Sequence, residues 1–221
     1  MLRLALGLCA LSLLATPALA FDPQKLAELQ DTGKCFGCDL SGLELADGQF
    51  ADSYLTYANL NRAKLMGADL SGSYIRFASM EQADFTGADL TEADMWDARL
   101  AGIVLAEAKL DGAAFEGSSM RGADLRKASV TNANVKRTNL RDAMLAGADF
   151  SKADFSAASL RGADLTGANF TNAIFANTGL REANLTDANL TGVDLSTTNT
   201  TDAIFCGTIM PDGTRNDADC S

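Results

Sequence analysis

The sequence predicts a solenoid, a fold that stacks one short repeated unit along a single axis. Every fifth residue from Leu40 to Phe205 is apolar except Thr200, and the frame never slips. A small residue, in most units alanine, stands two positions before nearly all of these central residues. Neither an α-helix nor a half-buried strand repeats its apolar positions every five residues. A period held over about 165 residues is typical of repeat architectures.

The local unit reads A-[DN]-L-x-x, as in the segments 68–72 (ADLSG) and 163–167 (ADLTG). This unit resembles the pentapeptide-repeat family, and the similarity covers roughly three quarters of the chain. The resemblance implies an all-β fold, a right-handed quadrilateral β-helix in which each pentapeptide forms one side and four make a coil of about 20 residues. The central residue and the small residue before it would point inward, and the other three positions would face water.

The chemistry of the unit agrees with that fold. A narrow tube has room for one large and one small side chain on each side. Asp or Asn before the central residue suits a backbone rich in turns, because its short side chain bonds nearby amides. Coils stacked at about 4.8 Å would give some eight coils and a rod of roughly 40 Å.

The first 20 residues predict a secretory signal peptide. Arg3 supplies a positive start, residues 4–14 form a short apolar core, and Ala18-Leu19-Ala20 is a cleavage site of the A-x-A type. Cleavage after Ala20 would export the protein to the periplasm or outside the cell. The mature chain is expected to have no transmembrane anchor, because no other segment is long and apolar enough.

Both ends of a solenoid need caps, since each exposes unpaired backbone and apolar core. Asp22 is a good helix N-cap and Pro23 fits the first helical position, so a short helix is expected over residues 23–30. The predicted organisation is a signal peptide, an N-terminal cap, a repeat domain and a C-terminal cap, over residues 1–20, 21–38, 39–205 and 206–221.

Four cysteines remain after export, and they allow three pairings. They lie in two groups that flank opposite ends of the expected rod, whereas a disulfide needs Cα atoms less than about 7 Å apart. The expected bonds are therefore Cys35–Cys38 and Cys206–Cys220, as staples of the two caps. A redox-active C-x-x-C is the alternative for the first pair, but it would need a thioredoxin-like context that the sequence lacks.

Composition argues against an enzyme. The chain has no histidine, which excludes a Ser-His-Asp triad and a histidine zinc site. No glycine-rich phosphate loop opens a helix, and the carboxylates are spread by the repeat. We therefore predict no catalytic, cofactor-binding or metal-binding residue. The net charge of −11 is read as solvated repeat faces, with repulsion or mimicry of nucleic acid as the alternative.

Stacking the sequence in steps of 20 residues brings exposed aromatic residues together. Nearly all other aromatic residues of the repeat occupy central, inward positions. We define the aromatic patch as Tyr54, Tyr57, Tyr74, Phe77 and Trp96. It either stabilises adjacent coils, as cross-strand pairs do, or forms a recognition surface. A protein partner or a second copy of the chain is the expected occupant, and a carbohydrate is the alternative.

The same arithmetic aligns four arginines on another side. We define the arginine ladder as Arg121, Arg141, Arg161 and Arg181. It is either a solvated row offset by acids such as Asp142 and Glu182, or a docking strip for an anionic polymer or an acidic partner.

These observations predict an exported, non-enzymatic scaffold or interaction module that presents flat, rigid faces. Two alternatives remain. The family resemblance implies a DNA-mimicking protein that interacts with DNA gyrase, which a signal peptide and the arginine ladder oppose. The other alternative is a module that binds the cell envelope or a glycan. Nucleic acid is not an expected partner, because the chain is acidic.

Overall fold

The structure, a computed structural model, describes residues 23–220. The predicted signal peptide, its cleavage site and Asp22 lie outside the described residues. The first element, α1 (Pro23–Thr32), is the expected cap helix with two more residues at its C-terminal end. It buries Leu29 and packs Leu26 against the same core. It therefore covers the apolar end of the first coil.

The rest of the chain forms a β-helix with coils of 20 residues. Isolated parallel bridges join residues 20 apart, from Lys34 and Tyr54 at one end to Asn189 and Ile209 at the other. Each coil bonds its neighbour through backbone groups next to the central residues. The ladder therefore extends beyond residues 39–205 into both predicted caps. The right hand of the coil stays a prediction from the family resemblance.

The core of the β-helix consists of the central residues and the small residues before them. Nearly all are buried, and leucine and alanine account for most of them. Near the C-terminal third the central positions hold four phenylalanines, whose ring centroids lie 5.2–5.6 Å apart: Phe150, Phe155, Phe170 and Phe175. One large and one small side chain per side thus fill the tube, as the sequence predicted.

Each unit turns a corner through the same backbone arrangement. In one unit the Ala58 N–H donates to the Leu55 carbonyl at 2.9 Å, and Tyr57 between them has a φ of 62°. Nearly every unit places its second residue after the centre in this left-handed region. The Asp or Asn before the centre supports the corner. The Asp69 carboxylate, for example, accepts the Ser71 N–H at 3.0 Å and the Ser71 hydroxyl at 2.7 Å.

Several units replace the small alanine by a buried serine or threonine. The Ser118 hydroxyl donates to the Met95 carbonyl at 2.6 Å, and the Thr138 hydroxyl donates to the Phe115 carbonyl at 3.0 Å. Each hydroxyl thus bonds a central residue 23 positions earlier, in the coil below. These bonds add side-chain links between coils that alanine units lack.

The C-terminal end is closed by a hairpin of two short antiparallel strands, β1 (Thr208–Ile209) and β2 (Arg215–Asn216). The Asp219 carboxylate accepts the Phe205 N–H at 3.0 Å, in place of a carbonyl from a further coil. Disulfides join Cys35 to Cys38 and Cys206 to Cys220, with Cα atoms 5.5 and 4.7 Å apart. Both bonds join the cysteines that the sequence grouped at each end.

The substitution Ala157→Gly should raise the free energy of unfolding by about 0.5–1 kcal/mol. Ala157 is exposed with a φ of 59°, a conformation that glycine adopts without the steric cost of a Cβ atom. Urea denaturation measures the change. As a matched control, Ala153→Gly at a buried inward position should lower stability by about 1 kcal/mol or more. A loss of stability in both variants would contradict the corner analysis.

The substitution Ser118→Ala should cost about 1 kcal/mol, because the Met95 carbonyl loses a buried hydrogen bond while the shape of the core is kept. The control is Ser119→Ala, since this neighbouring serine is half-buried and its hydroxyl makes no hydrogen bond within residues 23–220. Thermal denaturation should separate the two variants by several degrees. Equal melting temperatures would mean that the bond between coils contributes nothing.

Candidate functional site

The structure brings all five residues of the aromatic patch together on one side. Tyr54 and Tyr74 stack with ring centroids 5.0 Å apart and an interplanar angle of 11°. Tyr57 and Phe77 stack in the same way at 5.0 Å, and Phe77 meets Trp96 edge to face at 5.0 Å. Tyr54 and Tyr74 form one column, and each stands one residue before the centre of its unit. Tyr57 and Phe77 form a second column two residues after the same centres, so the two columns stand side by side.

Phe36 extends the patch, and the sequence analysis missed it. Its ring contacts Tyr57 edge to face at 5.4 Å, and 72% of the residue is exposed. It lies between Cys35 and Cys38, before the start of the predicted repeat, so it was assigned to the cap. Counting back from Trp96 in steps of 20 would have placed it on this face. We call the enlarged surface, Phe36 with the aromatic patch, the aromatic strip.

Two residues of the strip hold a backbone conformation that bulky side chains rarely adopt. Tyr57 has a φ of 62° and Phe77 a φ of 58°, at a position where many other units carry glycine, Asn or Asp. A left-handed residue other than glycine costs about 1 kcal/mol or more. Bulky residues at other corners, such as Arg62 and Lys127, hold the same conformation, so the strain belongs to the corner and the strip tolerates it.

A hollow of about 310 Å³ opens beside Trp96. Ala114 lies in the same column as Tyr54 and Tyr74, and its small side chain leaves this space open. The other lining residues of the hollow are Arg76, Asp94, Glu116 and Asn134. Arg76 forms an ion pair with Asp94 at 2.5 Å, and Arg137 forms one with Glu116 at 3.1 Å. The hollow thus combines an aromatic wall with carboxylates that are only partly exposed.

The arginine ladder also forms one column, but acids of the next coil neutralise most of it. Arg121 pairs with Asp142 at 3.4 Å, and both nitrogens of the Arg161 fork donate to Glu182 at 3.1 Å. Arg181 contacts Glu182 at 3.1 Å and lies 4.0 Å from Asp202. Within the described residues Arg141 makes no ion pair. The other three arginines have an acid 21 positions later, whereas Arg141 has Gly162 at that position. The hydrogen bond from Arg161 lowers the pKa of Glu182.

Residues 23–220 hold neither a cluster of potential metal ligands nor a helix that could span a membrane. Histidine, cysteine and carboxylate side chains there form no group of three or more that could hold a metal ion. None of the helices in this part of the chain has the length and apolar character needed to cross a membrane.

The comparisons with known proteins identify the family. The protein-family model for pentapeptide repeats matches this chain with eight copies. The matched residues are 34–72, 68–105, 98–137, 123–162, 136–172 and 163–199. The chain belongs to the pentapeptide-repeat family. A comparison with curated proteins found no similar sequence.

Solved structures of pentapeptide-repeat proteins resemble this one. A trypsin-treated form of QnrB1, a plasmid-mediated fluoroquinolone resistance protein, is 19% identical with a TM-score of 0.50, over 80% of this chain and 88% of that chain. HetL from the cyanobacterium Nostoc sp. strain PCC 7120 is a protein involved in the regulation of heterocyst differentiation. It is 27% identical with a TM-score of 0.35, and the match covers 87% of this chain and 97% of HetL. The first likeness supports the repeat β-helix fold alone.

The ion pairs of the ladder predict a measurable shift. Arg161→Gln should raise the pKa of Glu182 toward its ordinary value, because the charge-assisted hydrogen bonds are lost. Carbon-13 NMR titration of the carboxyl group measures it. Arg141→Gln, which removes the same charge from an unpaired arginine, is the control and should change this pKa much less.

The same pair makes stability depend on pH. The folded pKa of Glu182 is lowered, so its contribution is present above the pKa of the unfolded chain and is lost as pH falls through the folded value. An equal pKa change in the two arginine variants would contradict the pairing.

Proposed function

We propose that this pentapeptide-repeat protein is an exported, non-enzymatic interaction module, and that the aromatic strip is its contact surface. The single observation that carries the proposal is a cluster of six aromatic residues, five of them exposed and Phe77 half-buried, on one side of one end of a rigid β-helix. Phe36, Tyr54 and Tyr57 are each more than half exposed. Exposed aromatic clusters of this kind are typical of recognition surfaces, and monomeric proteins rarely display them without a partner.

The scaffold suits such a role. Backbone bonds between coils and two disulfides leave the strip little freedom to lose when a partner docks, so the entropic cost of binding is small. Two disulfides favour an oxidising compartment, in agreement with the signal peptide expected over residues 1–20.

The gyrase-directed alternative is less well supported. A mimic of duplex DNA needs rows of unpaired negative charge, but cations interrupt the acidic columns here. Lys64 pairs with Glu44 at 2.6 Å, and Lys109 pairs with Asp89 at 3.4 Å. The arginine ladder adds positive charge to a further side. The proposed export to an oxidising compartment also separates the protein from a cytoplasmic enzyme.

The glycan alternative has to use ring faces, because sugars stack on the flat side of aromatic residues. In this strip the stacked pairs Tyr54–Tyr74 and Tyr57–Phe77 cover one face of each of these four rings with the ring of the adjacent coil. Stacking along the columns thus reduces the ring faces that a sugar could use. Edges and hydroxyls suit a protein surface better than a sugar ring.

The proposal predicts that a partner depends on the strip. Mature protein and the triple variant Tyr54→Ala/Tyr74→Ala/Trp96→Ala are used to capture proteins from the envelope fraction of the source organism. The matched control replaces three exposed apolar residues outside the strip, namely Met66, Met144 and Ile174, by alanine. We expect one partner to be retained by the wild-type protein and the control but lost by the strip variant, with all three keeping the same circular dichroism spectrum. Loss by both variants, or by neither, contradicts the proposal.

A further inference from the structure

We infer that the aromatic strip binds an extended, basic segment of a protein partner, an inference that rests on the proposed function and specifies its ligand. Charge is distributed unevenly along the β-helix. Residues 23–100, which hold the strip, contain 13 acidic and 6 basic side chains, an excess of seven negative charges. Residues 101–220 contain 15 acidic and 11 basic side chains, an excess of only four over a longer stretch. The strip therefore lies in the more negative part of the molecule.

Unpaired carboxylates border the strip on two sides. Tyr54, Tyr74 and Asp94 are 20 residues apart and lie in one column. Asp52 and Glu92 lie at the corner before this column, two residues before Tyr54 and Asp94. Asp97 follows Trp96 and ends the column that holds Tyr57 and Phe77. All three flanking acids, Asp52, Glu92 and Asp97, are exposed, and none takes part in an ion pair within residues 23–220. These side chains can receive lysine or arginine from a partner without breaking an existing contact.

The hollow beside Trp96 suits the end of a long cationic side chain. A guanidinium or ammonium group there would lie near an indole ring and near the carboxylates of Asp94 and Glu116, whose side chains are only 20% and 24% exposed. Both carboxylates already pair with arginines of this chain, so the incoming cation would share them and would gain most from the indole ring. Cation–π attraction and partial burial both strengthen such a contact. The aliphatic stem of the side chain would pack on the ring edges of the strip.

The dimensions favour an extended segment over a folded surface. The strip runs from Phe36 to Trp96, which is three coil steps or roughly 14 Å. About four residues of extended chain span this length. A second copy of this chain is a poorer occupant, because two molecules of net charge −11 repel one another. Charge and length together thus select a short basic segment.

The test uses a fluorescein-labelled decapeptide of alternating arginine and proline, which is basic and extended before it binds. Fluorescence anisotropy measures its Kd at about 0.15 M salt, where long-range attraction is largely screened. The strip variant Asp52→Asn/Glu92→Gln/Asp97→Asn removes the bordering charges and keeps every aromatic ring. The control Asp47→Asn/Glu81→Gln/Glu107→Gln removes the same number of charges from other sides, at exposed acids that form no ion pair within residues 23–220.

We expect the strip variant to bind the peptide at least about tenfold more weakly than the wild-type protein, and the control to stay within about threefold. A decaglutamate peptide should not bind. An equal loss in both variants would mean diffuse attraction by net charge and would overturn the inference, as would no binding of the arginine peptide by the wild-type protein.

Failure of this inference is distinct from failure of the proposed function. A partner captured by the wild-type protein and by the strip variant that lacks the three acids, but lost with the aromatic variant, would leave the interaction module standing and overturn the basic ligand. Retention on envelope polysaccharide that depends on the rings but not on the acids would likewise overturn it in favour of a glycan.

Discussion

The hydrogen bonds between residues of successive coils are the constraint on which the rest of this structure depends. Each bridge joins residues 20 positions apart, and every coil supplies the partners of the next. Because the backbone polar groups need partners, a change of coil length would shift the residues of one coil out of register with the next. The unbroken five-residue frame is the sequence expression of that requirement. It also fixes which surface side chains lie above one another.

This regularity has a cost at the corners. The second residue after each centre is left-handed, and the chain fills that position with glycine, Asn and Asp in many units, but also with Ala, Lys, Arg, Tyr and Phe. The strain at any one corner is small compared with the bonds that both neighbouring coils provide. The scaffold can therefore carry unusual side chains at its corners, and Tyr57 and Phe77 are the clearest use of this tolerance.

A surface built by stacking behaves differently from one built by loops. Its side chains are spaced by the backbone, so a run of similar residues becomes a continuous column. Like residues in a column either attract, as the tyrosines do, or need partners from the adjacent column, as the arginines do. Glu182 neutralises Arg161 through a hydrogen bond between adjacent coils, 21 positions apart in the sequence. Arg141 has Gly162 at the corresponding position and therefore lacks such a partner.

The sequence by itself determined the repeat architecture and the inward residues, because one period of five governs both. The coil length of 20 residues followed from the family resemblance, and the cap helix followed from the capping signals at its N-terminal end. It also brought Tyr54 to Tyr74 and Tyr57 to Phe77, since their spacing equals the coil. Only the tertiary structure decided the contact of Phe36, the hollow at Ala114 and the hydroxyl bonds from Ser118 and Thr138.

The ladder also lacks a bridge between Ile174 and Asp194, within the range that the structure describes. There the Asn177 N–H donates to the Thr197 hydroxyl at 3.0 Å. These contacts depend on the direction of each side chain and join residues 18 to 23 positions apart in adjacent coils. The five-residue period of the sequence does not specify which of these residues touch. The period fixes where each residue lies along the coil, and packing between coils fixes what it touches.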